Sequence, residues 1–121
     1  MTLPEYIAAN LERPFAWRSH DCVTFASGWV QAATGMNPIA SLPAWKDERQ
    51  ALRVIRAVGG IEAAIGTRFK SIHPNAARDG DIGIYERSVC IFSGAHVVAP
   101  GIDGLQFIDR TRAKCAWSIF S

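Results

Sequence analysis

The chain has 121 residues, of which 49% are hydrophobic and 20% charged, and its formal net charge is +2. This length suits a single domain over residues 1–121 with one core, and the composition is that of a globular rather than a disordered chain. The small, scattered positive charge argues against nucleic-acid binding. No apolar run approaches the roughly 20 residues of a membrane span. The opening Met1-Thr2-Leu3-Pro4-Glu5 lacks a basic stretch running into an apolar one, so no secretory leader is expected.

Pro4 suits the first turn of a helix running to about Arg13, with Leu3, Ile7, Ala8 and Leu11 at helical spacing and Pro14 as its stop. A second helix starts near Asp21, capped by Ser19 or Asp21. Its stripe of Cys22, Phe25, Ala26, Trp29, Val30 and Ala33 predicts one buried face, and Gly35 suits a left-handed end. Asn37-Pro38 and Leu42-Pro43 mark a loop over 36–45. A third helix fits Lys46 to Val58, with Ala51, Leu52, Ile55 and Val58 inward and Arg49, Arg53 and Arg56 outward. After Gly59-Gly60 comes a short fourth helix, Ile61 to Arg68.

Beyond Pro74 the pattern changes to short β-rich runs: Ile82–Tyr85, Val89–Phe92, His96–Val98, Leu105–Ile108 and Ala116–Phe120. Helices followed by sequential strands predict an α+β fold, N-terminal helices packed on a C-terminal antiparallel sheet of about five strands.

The chemistry centres on Asp21-Cys22. A cysteine in the first turn of a helix sits in the positive end of the macrodipole, which favours thiolate, the nucleophilic form. The other cysteines are Cys90 and Cys115. With an odd number, no CxxC pair and no zinc spacing, all three read as reduced thiols of a cytoplasmic protein. Neither a metal nor a cofactor is expected, a site shared by the three thiols being the weaker alternative.

Asp21-Cys22-Val23-Thr24-Phe25 resembles the D-C-x-x-F motif of the NlpC/P60 cysteine peptidase superfamily, whose core is papain-like. Gly80-Asp81-Ile82-Gly83-Ile84 is similar to the G-D-hydrophobic motif that opens that family's sheet. The segment from Gly104-Leu105 to Ala116-Trp117-Ser118-Ile119 resembles a small phage-encoded branch found among tail-assembly genes.

The resemblance covers Tyr6 to Ile119. It implies a hydrolase acting on peptidoglycan stem peptides, with Cys22 as nucleophile. The family's base histidine falls at about Ser88, and its third polar residue falls at Val98. His96 is then the candidate base: positions i and i−2 of a strand share a face, displaced by roughly 6.5 Å. His20, two residues before Cys22, is the second candidate, while His73 reads as a surface residue.

Two functions compete. One is a thiol hydrolase in which Cys22 attacks the amide, His96 takes the proton and helix-start N–H groups hold the oxyanion. The other is a catalytically inactive structural component of a phage tail or tail tip. Such a protein would be cytoplasmic during assembly and then part of the virion tail, with tail proteins as partners.

Overall fold

The computed structural model describes residues 1–120. The helices come first: α1 (Leu3–Asn10), α2 (Cys22–Thr34), α3 (Glu48–Ala57) and α4 (Ile61–Gly66). Thr2 caps α1 by accepting from the Glu5 N–H, while Glu5 accepts in return from the Thr2 N–H. The helix ends three residues before the expected Arg13. Beyond Asn10 the chain peels off, and the Leu11 carbonyl accepts from the Leu105 N–H at 2.9 Å.

Asp21, not Ser19, caps α2, and Gly35 ends it in the left-handed conformation (φ 82°). Phe25, Ala26, Trp29 and Val30 of the expected stripe are buried. Where α1 crosses α2, Gly28 allows the approach, because a Cβ there would lie 2.6 Å from the Tyr6 hydroxyl oxygen. That hydroxyl donates to the Phe25 carbonyl at 2.6 Å.

Six strands follow: β1 (Lys70–Ile72), β2 (Ile82–Tyr85), β3 (Ser88–Ser93), β4 (His96–Gly101), β5 (Gly104–Asp109) and β6 (Cys115–Ser118). They form one antiparallel sheet in the order β1-β6-β2-β3-β4-β5. The arrangement is the expected α+β one, with six strands in place of about five. The extra strand, β1, is three residues long and mostly exposed, so it carries no alternation; its pairing with β6 makes it a strand.

The sheet buries both faces. On one, Ile82, Ile84, Val89, Ile91, Val98 and Trp117 pack against α2. On the other, Cys90, Phe92, Val97, Ala99 and Ala116 form a second cluster. Arg110 lies over Phe92 on this side, 5.0 Å from the ring centroid. Its Nη2 donates to the carbonyls of Pro74 (3.0 Å) and Ala77 (2.9 Å), tying two short 3-10 turns, Pro74–Ala76 and Arg110–Arg112, over the cluster.

The helix layer and sheet are locked at Gly80-Asp81. Buried Trp29 donates from Nε1 to the Gly80 carbonyl at 2.8 Å. Asp81 accepts from the N–H groups of Arg78 (2.8 Å) and Ile119 (3.2 Å). This aspartate therefore closes a turn and holds the C-terminal segment. Among the described residues, no helix is long and apolar enough to cross a membrane.

α3 departs most from expectation. None of its residues is fully buried, and Leu52, expected inward, is 45% exposed. Its apolar side faces an unfilled cleft instead of a packed core.

Candidate functional site

The cleft lies between α3, the first turn of α2 and the ends of β3 and β4. Its volume is about 250 Å³. Phe15, Trp17, Trp45, Leu52, Ile55 and Pro100 supply apolar walls, Cys22 and Asp21 lie at the helix start, and Glu48, Arg87 and Ser88 bring the polar groups. A smaller, almost wholly apolar cavity of about 60 Å³ lies behind it, under α4.

Cys22 occupies the first position of α2 and is half-buried. The macrodipole predicts an acidic thiol there. The structure reverses that expectation, because burial pushes the Cys22 thiol up to about 11. The neighbouring Asp21 carboxylate pushes in the same direction. Backbone N–H groups of Val89, Val23 and Cys22 itself face the sulfur and pull the other way without overcoming burial.

Asp21 is 2% exposed and has no cationic partner among the described residues; neutral donors surround it. Its Oδ1 accepts from the Thr24 N–H (2.9 Å) and hydroxyl (3.1 Å), and its Oδ2 from the Arg18 N–H (2.8 Å) and Trp45 Nε1 (2.7 Å). Trp45 thereby anchors the loop before α3 to the start of α2. The Arg18 guanidinium stacks on the same indole, 4.5 Å from its centroid. Arg18 and Asp21 meet within one local turn, and only the tertiary fold brings Trp45 to them.

The histidines do not converge on Cys22. His96 opens β4 at the opposite end from Pro100, the β4 residue that lines the cleft. Four residues at about 3.3 Å each put it roughly 13 Å away along the strand. It is exposed, its ring edge-on to Phe107 with centroids 6.3 Å apart. The alternation argument holds for the face, but Val98 is itself fully buried among core residues, so sharing its face does not bring His96 to the sulfur.

His20 is 2% exposed, packs edge-on to Phe25 (5.6 Å between centroids), and its Nε2 is buried without a partner. Burial, with Arg13 adding to it, lowers its basicity; Asp21 opposes them weakly. It is a buried residue of the loop between α1 and α2, its backbone paired with that of Ala16. Ser88, at the position of the expected base, opens β3 and lines the cleft. His73 is exposed, as expected, and its Nδ1 accepts from the Asn75 N–H at 3.1 Å.

Cys90 belongs to the cluster on the opposite face of the sheet, where burial first and the Cys22 thiol second push it up to about 12. Cys115 donates to Glu62 Oε1 at 3.5 Å and is likewise raised, first by burial and then by that carboxylate. Among the described residues, no three or more His, Cys, Asp or Glu side chains gather as a metal site.

Fold and site together define a small α+β domain with an apolar, cysteine-floored cleft beside a loosely seated helix. The chain belongs to a family described as a domain of unknown function (DUF6950), whose pattern matches residues 1–119. No curated protein and no solved structure matches it.

Proposed function

We propose that this chain is a non-hydrolytic domain of NlpC/P60-like, papain-like ancestry that serves as a structural component of a phage tail or tail tip. One observation carries the non-hydrolytic part: the half-buried Cys22 thiol is pushed up by desolvation, and neither His96 nor His20 is placed as its base. At neutral pH a thiol titrating near 11 is about one part in ten thousand thiolate. A general base must reach its proton directly or through one water. His96 is at the far end of its strand, and His20 packs on Phe25. The tail assignment rests on the motif order from Tyr6 to Ile119 and its likeness to the phage-encoded branch.

A second reading, the thiol hydrolase cleaving stem-peptide amide bonds, draws on one specific feature. Three backbone N–H groups surround the sulfur beside an open cleft, the kind of arrangement that stabilises an oxyanion.

Mapped alkylation of the three cysteines at pH 7, run beside a peptidoglycan digestion assay, separates the two readings. The expected outcome is Cys22 alkylation at least a hundredfold slower than that of a free thiol, and no released stem-peptide fragments. Fast, selective labelling of Cys22 with cleavage that a Cys22→Ala variant loses would overturn the proposal. For the tail assignment, the protein is expected in purified particles by mass spectrometry; particles free of it at every assembly stage refute that part.

A further inference from the structure

The β4–β5 hairpin ends in a two-residue turn, Ile102-Asp103, between the paired glycines Gly101 and Gly104. Both turn residues have negative φ, and Gly104 takes the positive one (φ 134°), a turn compatible with most residues. The turn does not call for an isoleucine, and Ile102 is 84% exposed, the most exposed large apolar side chain among the described residues.

The tip is held rigidly. The Phe15 N–H donates to the Gly101 carbonyl (3.0 Å), and the Leu105 N–H donates to the Leu11 carbonyl (2.9 Å). Gly104 has φ 134°, and a Cβ there would meet the Leu11 carbonyl oxygen at 2.6 Å. A presented apolar group that loses little freedom on contact is a preorganised anchor.

Beside this knob lies a hole. Pro100, two residues before Ile102 and so about 7 Å away along the strand, lines the Cys22 cleft. The cleft's volume of about 250 Å³ exceeds what one isoleucine side chain needs. Its rim carries half-exposed Leu52 (45%) and Trp17 (39%). Charge follows the same pattern: Asp103 sits next to the knob, Arg87 lines the hole, and neither makes an ion pair among the described residues.

We infer that the cleft is filled by the Ile102 tip of a second copy of this chain, in a reciprocal two-fold dimer where each copy's tip enters the other's cleft and Asp103 meets Arg87. Adjacency of knob and hole on one surface is what a self-complementary two-fold contact requires. A buried apolar anchor ringed by weaker polar contacts is the usual anatomy of such an interface. The inference stands independently of whether Cys22 retains activity.

Sedimentation velocity on the full chain, from about 1 µM to about 300 µM, brackets the affinities of modest interfaces. A concentration-dependent monomer–dimer equilibrium is expected. Ile102→Asp and Leu52→Asp, both at exposed positions, should each raise the dissociation constant at least tenfold without changing the thermal midpoint. Mixing the two variants should restore part of the dimer, because the Ile102 knob of one then meets the intact cleft of the other. Asp103→Arg and Arg87→Asp should each weaken the dimer, and their combination should recover it. A monomer throughout the range overturns the inference, as does a dimer indifferent to Ile102→Asp. A cleft occupied only by a segment of another tail protein, with the free chain monomeric, also overturns it.

Discussion

Replacing Asp21 with alanine should be among the most damaging single changes in the chain, although the position lies at a helix end. The N-cap bond to Thr24 is lost first, at about 1 kcal/mol. The larger loss is at Oδ2. Buried Trp45 Nε1 and the Arg18 N–H both donate there, and both lose their acceptor inside the fold. An orphaned buried donor costs about 1–3 kcal/mol. Together these give a destabilisation of roughly 3–7 kcal/mol, a large share of a typical domain's stability, and a fall in Tm of roughly 10–30 °C.

Asp21→Asn tests the partition. Its remaining carbonyl can still cap α2, but the amide nitrogen then faces Trp45 and Arg18 donors, so the expected loss is about 2–3 kcal/mol. Trp45→Phe removes one donor, and the Asp21→Ala/Trp45→Phe cycle should show coupling of about 1 kcal/mol or more. The assay is urea unfolding followed by far-UV circular dichroism, which remains readable when a tryptophan is removed. An Asp21→Ala variant within about 0.5 kcal/mol of the parent, the range of ordinary surface changes, would refute the reasoning.

Three further outcomes follow from the same structure. Cys22 alkylation should rise about tenfold per pH unit until pH approaches 11, with no plateau near neutrality, since the reactive form is the thiolate; a plateau below pH 8, read by mass spectrometry, would contradict the buried thiol. His20 has a folded-state pKa below its unfolded value, so its contribution to stability is present above about pH 6.5 and is lost as pH falls toward the folded value. The parent should therefore lose more stability than His20→Phe between pH 7 and pH 5 in thermal melts, and equal losses would remove His20 as the cause. Gly28→Ala should destabilise by about 1–3 kcal/mol despite alanine's better helix propensity, because its Cβ meets the Tyr6 hydroxyl; Tyr6→Phe in the same chain should recover part of that loss, and an unchanged Gly28→Ala melt would show that α1 is free to shift.

Much of the architecture is written in local pattern. The α2 stripe, the Asp21 cap and the Gly35 terminator lie within one stretch of sequence, and each depends on neighbours a few residues away. The strands β2 to β6 alternate or run apolar over lengths that suit a sheet covered on both faces. Strand β1 escapes such reading because its three residues bury little, and pairing with β6 decides its state. The helical period of α3 is legible, yet its apolar side borders a cleft rather than a packed core, since periodicity says which side is apolar and not what will cover it.

At the site, the residues around position 22 suffice to put a cysteine at a helix start ahead of an antiparallel sheet. The tertiary structure alone decided its chemistry. A helix start favours thiolate through a partial charge a few ångströms away, but the half-buried sulfur is partly desolvated, and that outweighs the N–H groups that face it. Likewise, alternation placed His96 on the same face as Val98, while strand direction carried it to the far end of the sheet. Period-two spacing fixes a face; distance to Cys22 depends on which end of the strand meets the helix, a property of packing between segments some seventy residues apart.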